Sequence, residues 1–191
     1  MRSFIAIELP EEIRTILSGA QDELKQTQAD VKWVKPENIH LTLKFLGDIE
    51  QDLIKKIHPI LNEIAQKSSS FSLYLSNLGA FPKLQYPRVI WIGLTNDRGV
   101  LEIANDLEKQ LIKIGLPAES RGFSSHITLG RVRSGINRKA LTEKLEFLNR
   151  NLSSPRPEFK VLNLTLFKST LTPQGPIYEA IFNCPLQPVS L

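Results

Sequence analysis

The chain has few of the residues that form covalent cross-links or metal centres. It contains one cysteine, Cys184, and three histidines among 191 residues. A single cysteine excludes an intramolecular disulfide and a cysteine-based zinc cluster. Long apolar runs are also missing: none approaches the ~20 residues of a membrane span, and the apolar stretch in MRSFIAIELP is too short for a signal peptide. We therefore expect a cytoplasmic protein that does not contact the membrane.

Neither sign of charge dominates strongly. The 24 lysines and arginines exceed the 20 acidic residues and leave a formal net charge of +4. Such an excess favours a polyanionic partner without requiring one. The length and the 41% hydrophobic content describe a globular chain that can bury a core, so we expect one domain, residues 1–191, with two lobes.

The order of predicted elements repeats along the chain. Each half reads helix, connector, strand beginning with histidine, helix, strand, proline-containing loop and strand. In the first half, AFPKLQYP is interpreted as a loop, and Pro59 is expected to kink or split its helix. In the second half, FKVLNLTLFKS is interpreted as a single strand. The repetition predicts a duplicated, bilobal α+β fold, with two mostly antiparallel sheets facing a central cleft and helices packed outside.

The first repeated strand is HLTLKFLGD, residues 40–48. Because side chains alternate between the faces of a strand, one face is predicted to carry three polar side chains, those of His40, Thr42 and Lys44. The opposite face is apolar and is expected to pack on helices; it carries Leu41, Leu43 and Phe45. The polar face should therefore line the cleft.

The second copy is HITLGRVR, residues 126–133. His126 and Thr128 share its polar face. Arg131 falls on the buried face, so it reaches the cleft only if Gly130 ends the strand or forms a bulge. The remaining histidine, His58, lacks this motif and is interpreted as a solvated helix residue.

Two histidines in matched strands favour general acid–base catalysis. A zinc site is disfavoured because no cysteine or carboxylate stands at ligand spacing, and a serine or cysteine nucleophile lacks its motif. One neutral imidazole can accept a proton from water while an imidazolium donates one to a leaving oxygen. In-line displacement at phosphorus places those two oxygens on opposite sides, which suits a pair of symmetric histidines. Neither a metal nor a cofactor is expected.

Hydroxyl and cationic side chains then have a role at the phosphate. Its nonbridging oxygens gain charge in the transition state and need positioned hydrogen-bond donors. Thr42 and Thr128 are the candidate donors, and Arg131 or Lys44 could add a formal positive charge.

Several segments together carry a family resemblance. They are RSFIAIELP, WVKPENIHLTLKFLGD, FPKLQYPRVIWIGL, HITLGRVR and GPIYEAIF. The set resembles the two-histidine phosphoesterase superfamily and, more narrowly, the bacterial and archaeal RNA 2′,3′-cyclic phosphodiesterases, once called 2′-5′ RNA ligases. One departure is Ser125, which stands where members often have proline before the second histidine.

The resemblance implies metal-free hydrolysis of an RNA 2′,3′-cyclic phosphate end to a 2′-phosphomonoester. It implies that His40 is the proton donor and His126 the proton acceptor, and that the same site could also join RNA ends by 2′-5′ ligation. The partner would be RNA with 2′,3′-cyclic phosphate ends, tRNA fragments among them, and we expect a monomer.

Two other functions remain open from the residues alone. One is a nucleotide or RNA-end binding module with little catalysis, which the retention of both histidines and both threonines disfavours. The other is a phosphodiesterase for a small cyclic nucleotide. Base recognition is weakly indicated, with three aromatic candidates for stacking: Trp33, Phe81 and Tyr178.

Overall fold

The computed structural model describes residues 1–152 and 154–189. The α-helices in these ranges are Glu11–Lys25 (α1), Gln51–Lys67 (α2), Arg98–Lys113 (α3) and Arg138–Arg150 (α4). The strands are Arg2–Glu8 (β1), Val31–Trp33 (β2), His40–Asp48 (β3), Phe71–Lys83 (β4), Tyr86–Thr95 (β5), His126–Val132 (β6), Glu158–Val161 (β7), Asn163–Thr172 (β8) and Gly175–Pro185 (β9). A short 3-10 helix, Pro36–Asn38, precedes β3.

The strands form two antiparallel sheets. The first sheet has the order β3-β1-β8-β9 and the second the order β2-β6-β5-β4-β7. Helices α2 and α3 pack on strands of the first sheet, whereas α4 packs on β4 and β5 of the second and contacts α1. The strands β3 and β6, which begin with the two histidines, contact each other across the sheets. The predicted α+β fold with two antiparallel sheets is confirmed.

Each helix buries one apolar face. The spacing of three and four residues along α2 puts its apolar side chains on one side of the helix, and the buried ones are Ile54, Ile57, Leu61, Ile64 and Ala65. Buried apolar side chains from all four helices and both sheets form one large core, and Phe4, Ala6 and Phe167 of the first sheet form a second, smaller cluster. Among the described residues, no helix has the length and apolar character needed to span a membrane.

The duplicated halves of the chain do not coincide with the lobes. Strand β2, from the first half, pairs with β6 of the second half, and β1 pairs with β8. The predicted single strand FKVLNLTLFKS is wrong for this reason. It forms β7 in the second sheet and β8 in the first, with Leu162 between them.

Two other details of the prediction are also corrected. AFPKLQYP is not a loop: β4 continues through Lys83, β5 begins at Tyr86, and the turn between them is short. Pro59 does not split its helix, because α2 runs unbroken from Gln51 to Lys67. Pro59 lies on the exposed side of α2, where water can bond the carbonyl group that lacks an amide partner.

Candidate active site

A bulge interrupts β3 directly after its histidine and threonine. Ile5 and Ala6 are consecutive in β1, yet their partners in β3 are Lys44 and Thr42. Leu43 is therefore an extra residue without a partner in β1. A bulge of this kind reverses the alternation of side chains beyond it.

The bulge overturns the predicted position of Lys44. Its side chain is on the core side of β3, 4% exposed, with Nζ 2.6 Å from Glu108 Oε2 and donating to the carbonyl of Pro117 at 3.1 Å. Phe45, predicted to be buried, is instead 61% exposed. Lys44 is thus a structural cation and not a candidate phosphate ligand.

A matching bulge interrupts β6. Ile90 and Trp91 are consecutive in β5, and their partners in β6 are Gly130 and Thr128. Leu129 is the extra residue, at the position of the motif that corresponds to Leu43 in β3. The two copies of the motif therefore share a backbone irregularity as well as their sequence.

The second bulge places Arg131 in the cleft. Its side chain is exposed. Burial raises the pKa of Tyr178 and lowers the pKa of His126, and the positive charge of Arg131 opposes the first shift and adds to the second. Tyr178 in turn meets the ring of His40 edge-on, with 5.4 Å between ring centroids. The guanidinium of Arg131 is therefore close enough to act on groups from both lobes. A bulge at Gly130 was one of the two conditions that the sequence set for this position.

Both histidine rings are fixed by a hydrogen bond to a carbonyl group two residues earlier in the chain. His40 Nδ1 lies 2.7 Å from the carbonyl oxygen of Asn38, and His126 Nδ1 lies 2.7 Å from that of Ser124. A carbonyl oxygen only accepts, so each Nδ1 carries the hydrogen. The Nε2 atom of each ring is left to exchange protons, as acid–base chemistry needs.

His40 lies among aromatic side chains of the first sheet. Phe4 stacks on its ring with centroids 4.8 Å apart, and Thr42 Oγ1 lies 2.9 Å from Nε2, where the hydroxyl donates to the neutral imidazole. Burial lowers the pKa of His40, and the hydrogen bond to Asn38 opposes that shift only in part. The sequence did not predict Phe4; it shares a face of β1 with Ala6, but the alternation alone does not reveal which face lines the cleft.

His126 has a similar aromatic environment in the second sheet. The rings of Phe81 and Trp91 meet it edge-on, at centroid distances of 5.1 and 6.2 Å. Burial lowers the pKa of His126, the bond to the Ser124 carbonyl opposes this, and the nearby Arg131 lowers it further. Thr128 projects from the same face of β6 as His126, as predicted.

The other residues singled out in the sequence lie elsewhere. Trp33 packs against the core, with its ring over Gly130, and is not a stacking partner for the histidines. His58 is exposed on α2 and stacks on Phe182, with 4.0 Å between ring centroids. Within the described part of the chain, no group of three or more histidine, cysteine or acidic residues could hold a metal ion.

A cavity of about 470 Å³ opens beside His40. Its walls come from β1, the start of α1, the segment before β3, and the hairpin of β8 and β9. They combine apolar and charged side chains, among them Phe4, Arg14, Lys35, Glu37, Ile177 and Tyr178. The volume and mixed lining are those of a ligand site, next to a histidine whose Nε2 contacts only the Thr42 hydroxyl among the described residues.

Two facing sheets that each contribute one histidine and one threonine from the same motif define a two-histidine phosphoesterase. Comparison with known families agrees: the model described as LigT like Phosphoesterase matches twice in succession, over residues 7–91 and 92–178. The chain belongs to this family, and the predicted phosphoesterase is confirmed. The two consecutive matches also support the internal duplication inferred from the order of elements.

Similar proteins and structures span nearly the whole chain. An RNA 2′,3′-cyclic phosphodiesterase of Methanothermobacter thermautotrophicus is 36% identical over 93% of this chain and 95% of its own length. One from Thermotoga maritima is 34% identical over 96% of this chain and 95% of its own. A Thermus thermophilus crystal structure superposes with a TM-score of 0.81 at 26% identity, covering 100% of both chains. E. coli LigT complexed with 3′-AMP superposes with a TM-score of 0.76 at 28% identity, covering 97% of both chains.

Proposed function

We propose that this chain hydrolyses the 2′,3′-cyclic phosphate at an RNA end to a 2′-phosphomonoester, by acid–base catalysis that needs no metal ion. The observation that carries the proposal is the pair of histidines, one from each sheet, each with Nδ1 tied to a carbonyl group, which leaves Nε2 as the atom for proton transfer. The names of the relatives in Methanothermobacter thermautotrophicus and Thermotoga maritima support the choice of substrate.

In the proposed reaction, His126 is the base and His40 the acid. Nε2 of His126 accepts a proton from water as its oxygen bonds to phosphorus, while Nε2 of His40 donates a proton to the departing 3′-oxygen. The charge of Arg131 disfavours the imidazolium form of His126, which suits a group that must start neutral. The phosphate stays on the 2′-oxygen, and a 5′-hydroxyl in place of water would give a 2′-5′ linkage.

Three further side chains are proposed to hold the phosphate. Thr42 and Thr128 each lie two residues after a histidine on the same strand face, within the reach of a nonbridging oxygen. The Thr42 hydroxyl, which donates to His40 in the absence of substrate, would turn toward the phosphate when His40 is protonated. Arg131 adds a charged donor from the second lobe, and such donors stabilise the negative charge that develops on the oxygens.

The cavity beside His40 is the proposed position of the terminal nucleoside. If His40 protonates the 3′-oxygen, the ribose lies on the His40 side of the phosphate, where this cavity opens. Tyr178 lines the cavity and offers aromatic surface there, and stacking of a base on such surface tolerates any base. The mixed lining therefore supports recognition of a nucleoside end without a strict sequence.

The direct test uses a short RNA ending in a 2′,3′-cyclic phosphate, incubated with EDTA, with the product isomer identified by chromatography. We expect a 2′-phosphate from the wild type and at least a 10²-fold lower rate from His126→Ala. The matched mononucleotide is assayed beside it. Equal or faster turnover of the mononucleotide would indicate a small cyclic nucleotide as the substrate, and an unchanged RNA together with an unchanged mononucleotide would refute the proposed activity.

A further inference from the structure

Gln21 is a polar side chain buried in helix α1, with 1% of its surface exposed. Its Nε2 donates to two carbonyl oxygens, that of Val34 at 2.8 Å and that of Leu129 at 2.8 Å. The Leu129 carbonyl also accepts from the Val34 amide at 2.9 Å. Burying an amide is costly unless it is hydrogen-bonded; these two contacts satisfy Nε2, whereas Oε1 is buried and has no partner among the described residues.

The residue that Gln21 holds is the bulge residue of β6. Leu129 has no partner in β5. Its carbonyl points toward β2 and accepts hydrogen bonds from Val34, the residue that follows β2, and from Gln21. The backbone of a bulge lacks the regular ladder that fixes its neighbours, and other groups must set its conformation. Here, the Gln21 amide joins the bulge to the end of β2 and to α1.

The conformation of this bulge determines where Arg131 points. A regular strand would put Arg131 on the face opposite His126 and Thr128, in the core. The extra residue reverses the alternation and turns Arg131 into the cleft, where its charge acts on His126 and Tyr178. Gln21 is thus linked to the cleft through one carbonyl group and two residues of chain.

We propose that Gln21 is a positioning residue that holds the Leu129 bulge and thereby keeps Arg131 in place at the phosphate. The expected effect on kcat/KM rests on the proposed function. The position of the Arg131 side chain is a property of the unliganded protein and does not. Gln21 itself does not touch substrate in this account. Its effect passes through the direction of the Arg131 side chain.

The kinetic test compares Gln21→Met, Arg131→Met and the double variant on the cyclic-phosphate RNA. We expect Gln21→Met to lower kcat/KM roughly tenfold and Arg131→Met about 10²-fold, because a misdirected donor still acts in part and an absent one does not. The double variant should be no slower than Arg131→Met alone. Independent losses that multiply in the double variant would overturn the proposal.

Leu24→Ala is the matched control for stability. Leu24 is fully buried on the same helix, so its truncation destabilises α1 and its packing without removing the bond to Leu129. We expect a lower Tm and unchanged kcat/KM for this variant. If Gln21→Met does not fold, Gln21→Leu, which also removes both hydrogen bonds, takes its place in every comparison.

A titration of His126 by NMR separates this inference from the proposed function, because it needs no substrate. Three histidines give few imidazole signals, and the spectrum of His126→Ala assigns the one required. The pKa of His126 should rise in Arg131→Met, which lacks the positive charge. It should rise to a smaller extent in Gln21→Met, in which that charge is misdirected. An unchanged pKa in Gln21→Met, beside a raised one in Arg131→Met, would contradict the positioning role even if the RNA is not a substrate.

Discussion

The rings of His40 and His126 are each held at Nδ1, the nitrogen that takes no part in the proposed proton transfer. A carbonyl group two residues upstream holds Nδ1–H in both rings, and this fixes the tautomer and the ring orientation. The H-x-T motif predicted that His40 and His126 begin matched strands and that Thr42 and Thr128 share their faces. It could not predict the carbonyl contacts, because these depend on the backbone path of the segments before β3 and β6.

The pH dependence of activity should reflect the lowered pKa values of both histidines. Burial lowers the pKa of His126, the proposed base, so the rising limb of kcat/KM should lie at lower pH than an ordinary imidazole would give. Burial also lowers the pKa of His40, the proposed acid, so it should lose its proton at lower pH and move the falling limb in the same direction. We expect a bell-shaped profile displaced to acid pH.

The measurement is kcat/KM against pH for the cyclic-phosphate RNA, in EDTA. Arg131→Met provides the internal comparison, since loss of its charge should move the rising limb toward higher pH and leave the falling limb in place. A profile without a falling limb, or one centred on the alkaline side of ordinary imidazoles, would exclude His40 as the acid.

In β3 and β6, the strands that carry the candidate site, the sequence predicted the direction of each side chain only up to the bulge. The alternation in HLTLKFLGD and HITLGRVR correctly places the first four residues of each, and it fails from the fifth residue onward. A bulge is set by the register with the neighbouring strand, which the sequence of β3 or β6 does not contain. Lys44 and Phe45 exchange faces for this reason, and Arg131 enters the cleft.

Lys44 links β3 to the segment that leads into β6. Its ammonium bonds Glu108 on α3 and the carbonyl of Pro117, and Glu108 also accepts from the Glu119 amide. Burial raises the pKa of Glu108, but these bonds outweigh it and the pKa is lowered on balance. The segment of 116–125 before His126 is therefore anchored on the other lobe.

Replacing Lys44 with methionine should destabilise the protein by about 2 kcal/mol, because the carbonyl of Pro117 and the carboxylate of Glu108 lose a buried donor. Trypsin should also cut faster after Arg121, which lies in the released segment. Thermal unfolding and limited proteolysis measure the two effects. Lys55→Met is the control: its exposed pair with Asp52 contributes little, so its Tm and cleavage rate should match the wild type.

At the scale of the molecule, the sequence predicted the two sheets, the four helices and the duplication, but not the exchange of strands between the halves. Strand partners far apart in the chain leave no local signal in composition or periodicity. The clearest case is Leu162, a single residue at which the chain leaves the second sheet and enters the first. Nothing in FKVLNLTLFKS marks that point, because both sides of it are equally typical of strands.

The interleaved strands should make the two lobes unfold together. Both tryptophans, Trp33 and Trp91, lie in the second sheet, so their fluorescence reports that lobe, whereas far-UV circular dichroism reports the whole chain. We expect the two signals to give one coincident transition in urea, since one continuous core joins the lobes. Two separate midpoints would show that the lobes are independent folding units.

A substrate with sulfur at the bridging 3′-position tests most directly whether His40 is the acid and His126 the base. A thiolate leaves without a proton, so this substrate does not need the acid. We predict that it restores most of the activity that His40→Ala loses with the oxygen substrate, and little of what His126→Ala loses. Equal rescue of both variants, or rescue of His126→Ala alone, would contradict the assignment of His40 as acid and His126 as base.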